Sequence, residues 1–305
     1  MRQRDAVGIA ILANLIGGSS YVLAKIALEG LTETSLVVVR TVVALGVLAP
    51  LAGARLRALF TAGGRDRILL VVMGVVGYAL PLVIGNYGLR RSTATNAALL
   101  IGTEPLCVVA LGALLLGESL GRARLAALAL GIVGATLLVA NGVPWLTMPA
   151  SATRAGDLLL VAHGAAWAVY SIAGKPLLAR HDAVAVSAAG LAIALPCLLP
   201  IAAVELARTG VVTARLVPAL AAAITLGLVV SALMTVLWNT ALGAMDASRL
   251  VGFVALQPLA GVVLGALALG EPVGQWALVG GGLVLAGVAL LAHEERTDAR
   301  AREAA

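Results

Sequence analysis

The chain predicts an all-α integral membrane protein with ten transmembrane helices, built as two inverted five-helix repeats. Three observations carry that prediction. Of 305 residues, 61% are hydrophobic and only 12% are charged, about half the charge of a soluble domain. Ten charge-poor stretches of membrane-crossing length follow one another along the chain. The two halves of the sequence also resemble each other.

A helix needs about 20 apolar residues to cross the hydrocarbon core. Charge-poor spans of that order run over 6–28, 34–54, 68–89, 92–117, 125–143, 157–178, 183–204, 216–243, 247–270 and 273–293. They are rich in Ala, Val, Leu and Gly and show no alternation of period two, which speaks against a membrane β-barrel. The basic start Met1-Arg-Gln-Arg-Asp resembles a signal peptide, but the long run from Ala6 to Ala24 reads as an uncleaved first helix. Connectors such as Arg55–Arg67, Glu118–Arg124 and Arg180-His181-Asp182 are too short for a soluble domain. The charged tail 294–305 is expected to fray into water.

Orientation follows from the cations. With the N-terminus in the cytoplasm, Arg2, Arg4, Arg55, Arg57, Arg65, Arg67, Arg122, Arg124, Arg180, Arg249 and the tail arginines fall on the inner side. Only Arg90, Arg91, Arg154, Arg208 and Arg215 fall outside. That bias fits an even number of helices with both termini cytoplasmic in a bacterial-type inner membrane. It also turns the pI near 10.0 into a topology signal, so nucleic acid is not expected as a partner. Cys107 and Cys197 lie in apolar runs, offer no disulfide framework and read as small hydrophobes.

Offsetting the chain by 153 residues puts Asn86 on Asn239, Pro105 on Pro258, Gly112 on Gly265, Gly117-Glu118 on Gly270-Glu271 and Gly134 on Gly287. An offset of 150 puts Lys25 on Lys175 and Pro50 on Pro200. Because each unit has five helices, the second enters the membrane from the opposite face. Secondary transporters are often built from such inverted units, with the substrate site near the midplane between them.

These residues also resemble a known family. Leu114-Leu-Leu-Gly-Glu118 and Leu267-Ala-Leu-Gly-Glu271, each preceded by a mid-helix proline (Pro105, Pro258), are similar to the ends of the fourth and ninth helices of drug/metabolite transporters with two EamA domains. Ala166-Trp167 followed by Lys175, and Arg40 in the second span, fit the same pattern. Gly17 departs from it, since the family has a Trp there. The resemblance covers 6–141 and 157–292. It implies a secondary transporter of small metabolites, often an exporter of amino acids or related compounds.

Glu104 is the leading site candidate. A carboxylate in mid-membrane costs about 2.5–3.5 kcal/mol on insertion scales and is a functional hypothesis by default, either as a proton carrier or as a partner for a substrate amine. The alternative is a protonated Glu bonded between helices. Its counterpart under the offset is Gln257, also just before a proline. In the sixth span His163, Trp167, Tyr170 and Ser171 share one helical face, and such a stripe should face protein or a cavity. Asn14, Tyr21 and Tyr78 complete the candidate set. Gly17 and Gly18 read as a close-packing point. Trp238 and Asn239, near the inner end of the eighth span, join the candidates, with an interfacial anchor as an equal reading of Trp238. Lys25 and Arg40 read as snorkelling, ion-paired cations near Glu29 and Glu33, with carboxylate attraction by Arg40 as the second reading. Glu118 and Glu271 read as caps on the helices that follow them.

No metal cluster, P-loop or HExxH motif is present, so neither cofactor nor metal is expected. A lipid or lipid-linked carrier flippase and an intramembrane serine enzyme using the Gly17-Gly-Ser-Ser20 run with His163 remain alternatives. The expected partners are a small-molecule substrate, protons and the lipid bilayer. Ten helices suffice to enclose a cavity in a monomer.

Overall fold

The computed structural model describes residues 3–61, 63–116, 121–142, 153–209, 213–244 and 253–304. Among them there is no strand. The main helices are α1 (Gln3–Ala27), α2 (Glu33–Ala52), α3 (Gly64–Arg90), α4 (Ala94–Leu100 and Glu104–Leu116, joined by the tight turn Ile101–Thr103) and α5 (Arg122–Ala140). They continue with α6 (Arg154–Leu178), α7 (Ala183–Thr209), α8 (Leu216–Ala244), α9 (Leu256–Leu269) and α10 (Gln275–Ala304). Among the described residues nine helices are long and apolar enough to cross a membrane, and α9 is shorter. The start of the ninth expected span, 247–252, lies outside the described residues. The protein is thus a multi-pass, all-α membrane protein.

Local signals set the helix ends. Thr32 caps α2 by accepting the Ser35 N–H at 3.3 Å, and Asp182 caps α7 by accepting the Ala185 N–H at 3.0 Å. Asn141 and Gly270 adopt left-handed backbone, with φ of 49° and 64°, and stop α5 and α9. The connector 55–67 contains a short helix, Ala54–Phe60. One expectation changes. The charged tail continues α10 as helix to Ala304, because its Ala, Glu and Arg residues are strong helix formers.

Helix contacts cross between the halves of the sequence. The α5 helix packs along α10 and α2 along α7, while α1 lies against α8 and α9 and α6 against α3 and α4. Hydrocarbon is as apolar as leucine, so close packing of small residues has to hold such helices together. At the α5–α10 crossing a Cβ on Gly134 would sit 2.5 Å from the Gly280 carbonyl, and one on Gly280 would sit 2.5 Å from the Gly134 carbonyl. Large apolar residues such as Ile68, Leu114, Val217 and Leu267 point outward, where lipid covers them.

The ion pairs gather at the two ends of the bundle. Glu33 meets Arg90 at 2.8 Å and Arg91 at 3.8 Å, and Glu29 meets Arg215 at 3.8 Å. At the other end Asp182 meets Arg55 at 3.1 Å, Asp66 meets Arg180 at 2.7 Å and Glu294 meets Arg124 at 3.7 Å. Each pair joins segments that the sequence assigns to the same side.

Candidate functional site

A cavity lies between α1, α2, α3, α4, α6, α8 and α9, with about 100 Å³ of free space. All eight candidate residues line it: Asn14, Tyr21, Tyr78, Glu104, His163, Trp167, Tyr170 and Gln257. Arg40, Ser20, Asn86, Ser171 and Trp238 line it too.

Glu104 owes its position to a break in α4. Pro105 has no N–H to offer the carbonyl of Ile101, and the tight turn Ile101–Thr103 lets the Glu104 N–H bond that carbonyl instead. Thr103 Oγ1 donates to the Leu100 carbonyl at 2.7 Å within the same turn. The Glu104 side chain is left half-buried, and Ser171 Oγ donates to its Oε1 at 3.2 Å. Gln257 faces the cavity from α9, as Tyr21 does from α1. Gly17 makes room for it, since a Cβ there would lie 2.8 Å from Gln257 Oε1. Gly18 allows α9 the same close approach, 2.6 Å from Ala260 Cβ to an added Cβ.

Wide turns carry the next residues. Val72–Ala79 in α3 and Leu226–Met234 in α8 both form π-helical segments, a feature frequent at functional sites. Tyr78 Oη donates to Ser231 Oγ at 3.3 Å, and Arg40 Nε donates to the same oxygen at 2.8 Å. Arg40 is only 5% exposed, and among the described residues it forms no ion pair. The expected snorkelling is thus replaced by a buried cation facing the cavity. Lys25 also departs from expectation: it donates to the carbonyls of Leu89, at 2.8 Å, and Ser92 at the end of α3 rather than pairing with Glu29.

Trp167 occupies the aromatic side of the cavity. Three rings meet it edge-on, Tyr78 and His163 with centroids at 6.1 Å and Tyr170 at 5.3 Å. His163 Nδ1 lies 2.7 Å from the Pro81 carbonyl. An oxygen acceptor there requires the proton on Nδ1, so neutral His163 keeps Nε2 as an acceptor. Gly85 permits the contact, since a Cβ on it would fall 2.5 Å from Nδ1. Among the described residues no hydroxyl bonds His163, so the Ser–His pair of the serine-enzyme reading is not formed. Asn239 donates to Tyr170 Oη at 2.9 Å and to Ser187 Oγ at 2.7 Å. Asn14 is fully buried and donates to the Ala10 carbonyl at 2.8 Å, while its Oδ1 has no partner among the described residues.

Trp238, read either as a site residue or as an interfacial anchor, lines the cavity. One further expectation is revised. Glu271 caps α4 rather than the helix that follows it, accepting the N–H groups of Ala94 at 2.9 Å and Thr95 at 2.8 Å. Glu118 lies outside the described residues. Ser231 was not singled out in the sequence, although the 153-residue offset maps Tyr78 onto it.

The sequence model of the EamA-like transporter family matches residues 6–140 and again 154–292. The chain belongs to the EamA-like transporter family. Membership places it among transporters rather than enzymes. It is 32% identical over 309 residues to a probable terminal-alkyne amino-acid exporter of Streptantibioticus cattleyicolor, covering 100% of this chain and 98% of the relative. It is 30% identical over 280 residues to an uncharacterized transporter of Archaeoglobus fulgidus, covering 92% and 94%. A protein crystal structure of 20% sequence identity matches with a TM-score of 0.64 over 97% of this chain and 99% of the other. That likeness shows that the fold of this EamA-like transporter exists in an experimentally solved protein.

Proposed function

We propose that the protein is a secondary active exporter of small zwitterionic metabolites, amino acids among them. It works by alternating access between two inverted repeats, 6–141 and 157–292, in a cell inner membrane with both termini cytoplasmic. One observation carries the substrate reading: Arg40 and Glu104 line the same buried cavity, and Arg40 has no carboxylate of its own among the described residues. A guanidinium in low dielectric attracts a carboxylate strongly, and the Glu104 carboxylate suits an ammonium group. Trp167, Tyr78 and Tyr170 line the same cavity and offer an apolar wall for the rest of the substrate. The small free volume favours a compact zwitterion over a lipid. The exporter from Streptantibioticus cattleyicolor, named for an amino-acid substrate, supports the same class.

The repeat reading is supported by matched contacts. Lys25 holds the Leu89 carbonyl, and Lys175 holds the Leu242 carbonyl at 2.5 Å. Lys25 and Lys175 are 150 residues apart, and Leu89 and Leu242 are 153 apart. Glu104 then has a second task, exchanging the substrate ammonium for a proton. Purified protein in proteoliposomes, a radiolabelled amino-acid panel and an imposed pH gradient test both ideas. Uptake of a zwitterion that rises with the gradient is expected. Glu104→Gln should abolish the gradient dependence, and gradient-driven transport intact in that variant overturns the coupling role. Movement of fluorescent lipids alone overturns the exporter reading in favour of a flippase.

A further inference from the structure

A second cavity opens on the outside of the bundle, between α4, α5 and α6. It holds about 510 Å³ and is walled almost wholly by apolar side chains, Leu106, Leu128, Ile132 and Leu158 among them. It runs along α5 from Leu128 to Ala140, about 18 Å at 1.5 Å per residue. That length is about the hydrocarbon depth of one leaflet, half of roughly 30 Å. Ile132 and Leu158 are more than half exposed on its rim, so the groove faces the bilayer and not the transport cavity. Arg154, the first residue of α6, lines the groove at the same end as Ala140. A hydrocarbon slot one leaflet deep, with a guanidinium at its headgroup end, is complementary to one kind of molecule.

We propose that the groove binds an anionic phospholipid of the leaflet at the α5 C-terminal end, one acyl chain lying along Leu128–Ala140 and its phosphate at Arg154. The lipid has a mechanical role. The broken turn of α4 sends Ile101 and Glu104 into the central cavity and Thr103 and Cys107 into the groove. An acyl chain therefore buttresses the turn that presents Glu104.

The test uses full-length protein in nanodiscs doped with phosphatidylglycerol carrying a diazirine in one acyl chain, or with the matching phosphatidylcholine. After photolysis, adducts are mapped by peptide mass spectrometry. Adducts from phosphatidylglycerol should concentrate on 128–140 and 158–161, exceeding those from phosphatidylcholine at least five-fold. Arg154→Gln should reduce the phosphatidylglycerol adducts to the phosphatidylcholine level, and Ala135→Trp, which fills the slot, should abolish both. Each variant is checked for an unchanged gel-filtration profile, and Leu158→Trp serves as the second slot-filling variant should Ala135→Trp fail to fold. Adducts spread evenly over outward residues such as Ile68, Val217 and Leu267 would overturn the proposal. So would equal labelling by the two lipids, or protein–protein crosslinks at the groove in place of lipid adducts. The readout needs no transport, so it stands or falls apart from the exporter reading.

Discussion

Tyr78 and Ser231 stand 153 residues apart, the offset that matches the two halves of the sequence, and their hydroxyl oxygens lie 3.3 Å from each other. Under the proposed repeat these are equivalent positions, and such positions meet only near the axis that relates the two units. Arg40 Nε adds a third group at the same oxygen, 2.8 Å away. The wide turns of α3 and α8 carry Tyr78 and Ser231.

Removing the cation tests its role in recognition. A hydrogen bond to a charged group is worth about 1.5–3 kcal/mol, which is roughly ten- to a hundred-fold in affinity. Arg40→Gln should raise the KM of a zwitterionic substrate by about that factor in proteoliposomes. Ser231→Ala, which removes only the positioning hydroxyl, should have a smaller effect. Esterified substrates, which lack the carboxylate, should be insensitive to Arg40→Gln.

The reciprocal glycines of α5 and α10 make a stability test with an internal control. Gly280→Ala places a methyl 2.5 Å from the Gly134 carbonyl, whereas Gly282 has nothing within 4 Å of an added Cβ. Overpacking costs about 1–3 kcal/mol, so Gly280→Ala should lower Tm in detergent by several degrees. Gly282→Ala should leave Tm unchanged or raise it, since Ala is the better helix former. Equal effects would mean that the α5–α10 crossing is not the close one described.

Glu271 links the loop after α9 to the start of α4. Its carboxylate holds two N–H groups and the Thr95 hydroxyl, the last at 2.9 Å. Losing a helix cap costs about 0.5–2 kcal/mol. Glu271→Ala should lower Tm and speed amide exchange over residues 94–100, while α2 exchanges as before. Glu271→Gln, with one oxygen retained, should fall in between.

Lys25 and Lys175 should behave as independent clamps. Each closes a different helix end, and changes at distant sites add. Lys25→Met and Lys175→Met should each reduce stability, and the double variant should show the sum. A double variant no worse than either single one would mean that the two sites are coupled.

Much of this protein is legible in one dimension. Hydrocarbon demands a run of apolar residues long enough to cross it, so ten spans stand out in the sequence. An intact helix must satisfy its own backbone in lipid, so few alternatives to a helical bundle remain. Glu104 and Gln257 are conspicuous for the same reason, because polar groups in such spans are costly. What the sequence by itself determined is the class, the apolar spans and the polar exceptions.

The tertiary structure decided where those exceptions meet. Asn14, Tyr21, Tyr78, Glu104, His163, Trp167, Tyr170 and Gln257 come from five helices, and no spacing along the chain places them around one cavity. Arg40 reads from sequence as a snorkelling cation because its depth depends on what α8 places beside it, and Ser231 is an ordinary serine until α3 and α8 are packed. Glu271 sits before α10 yet caps α4, because its loop lies over that helix end. Lipid does not discriminate one apolar helix face from another, so pairing rests on where glycines allow backbones to touch and where a hydroxyl or amide finds its partner. Those are properties of surfaces in contact, and they exist only once the helices are assembled.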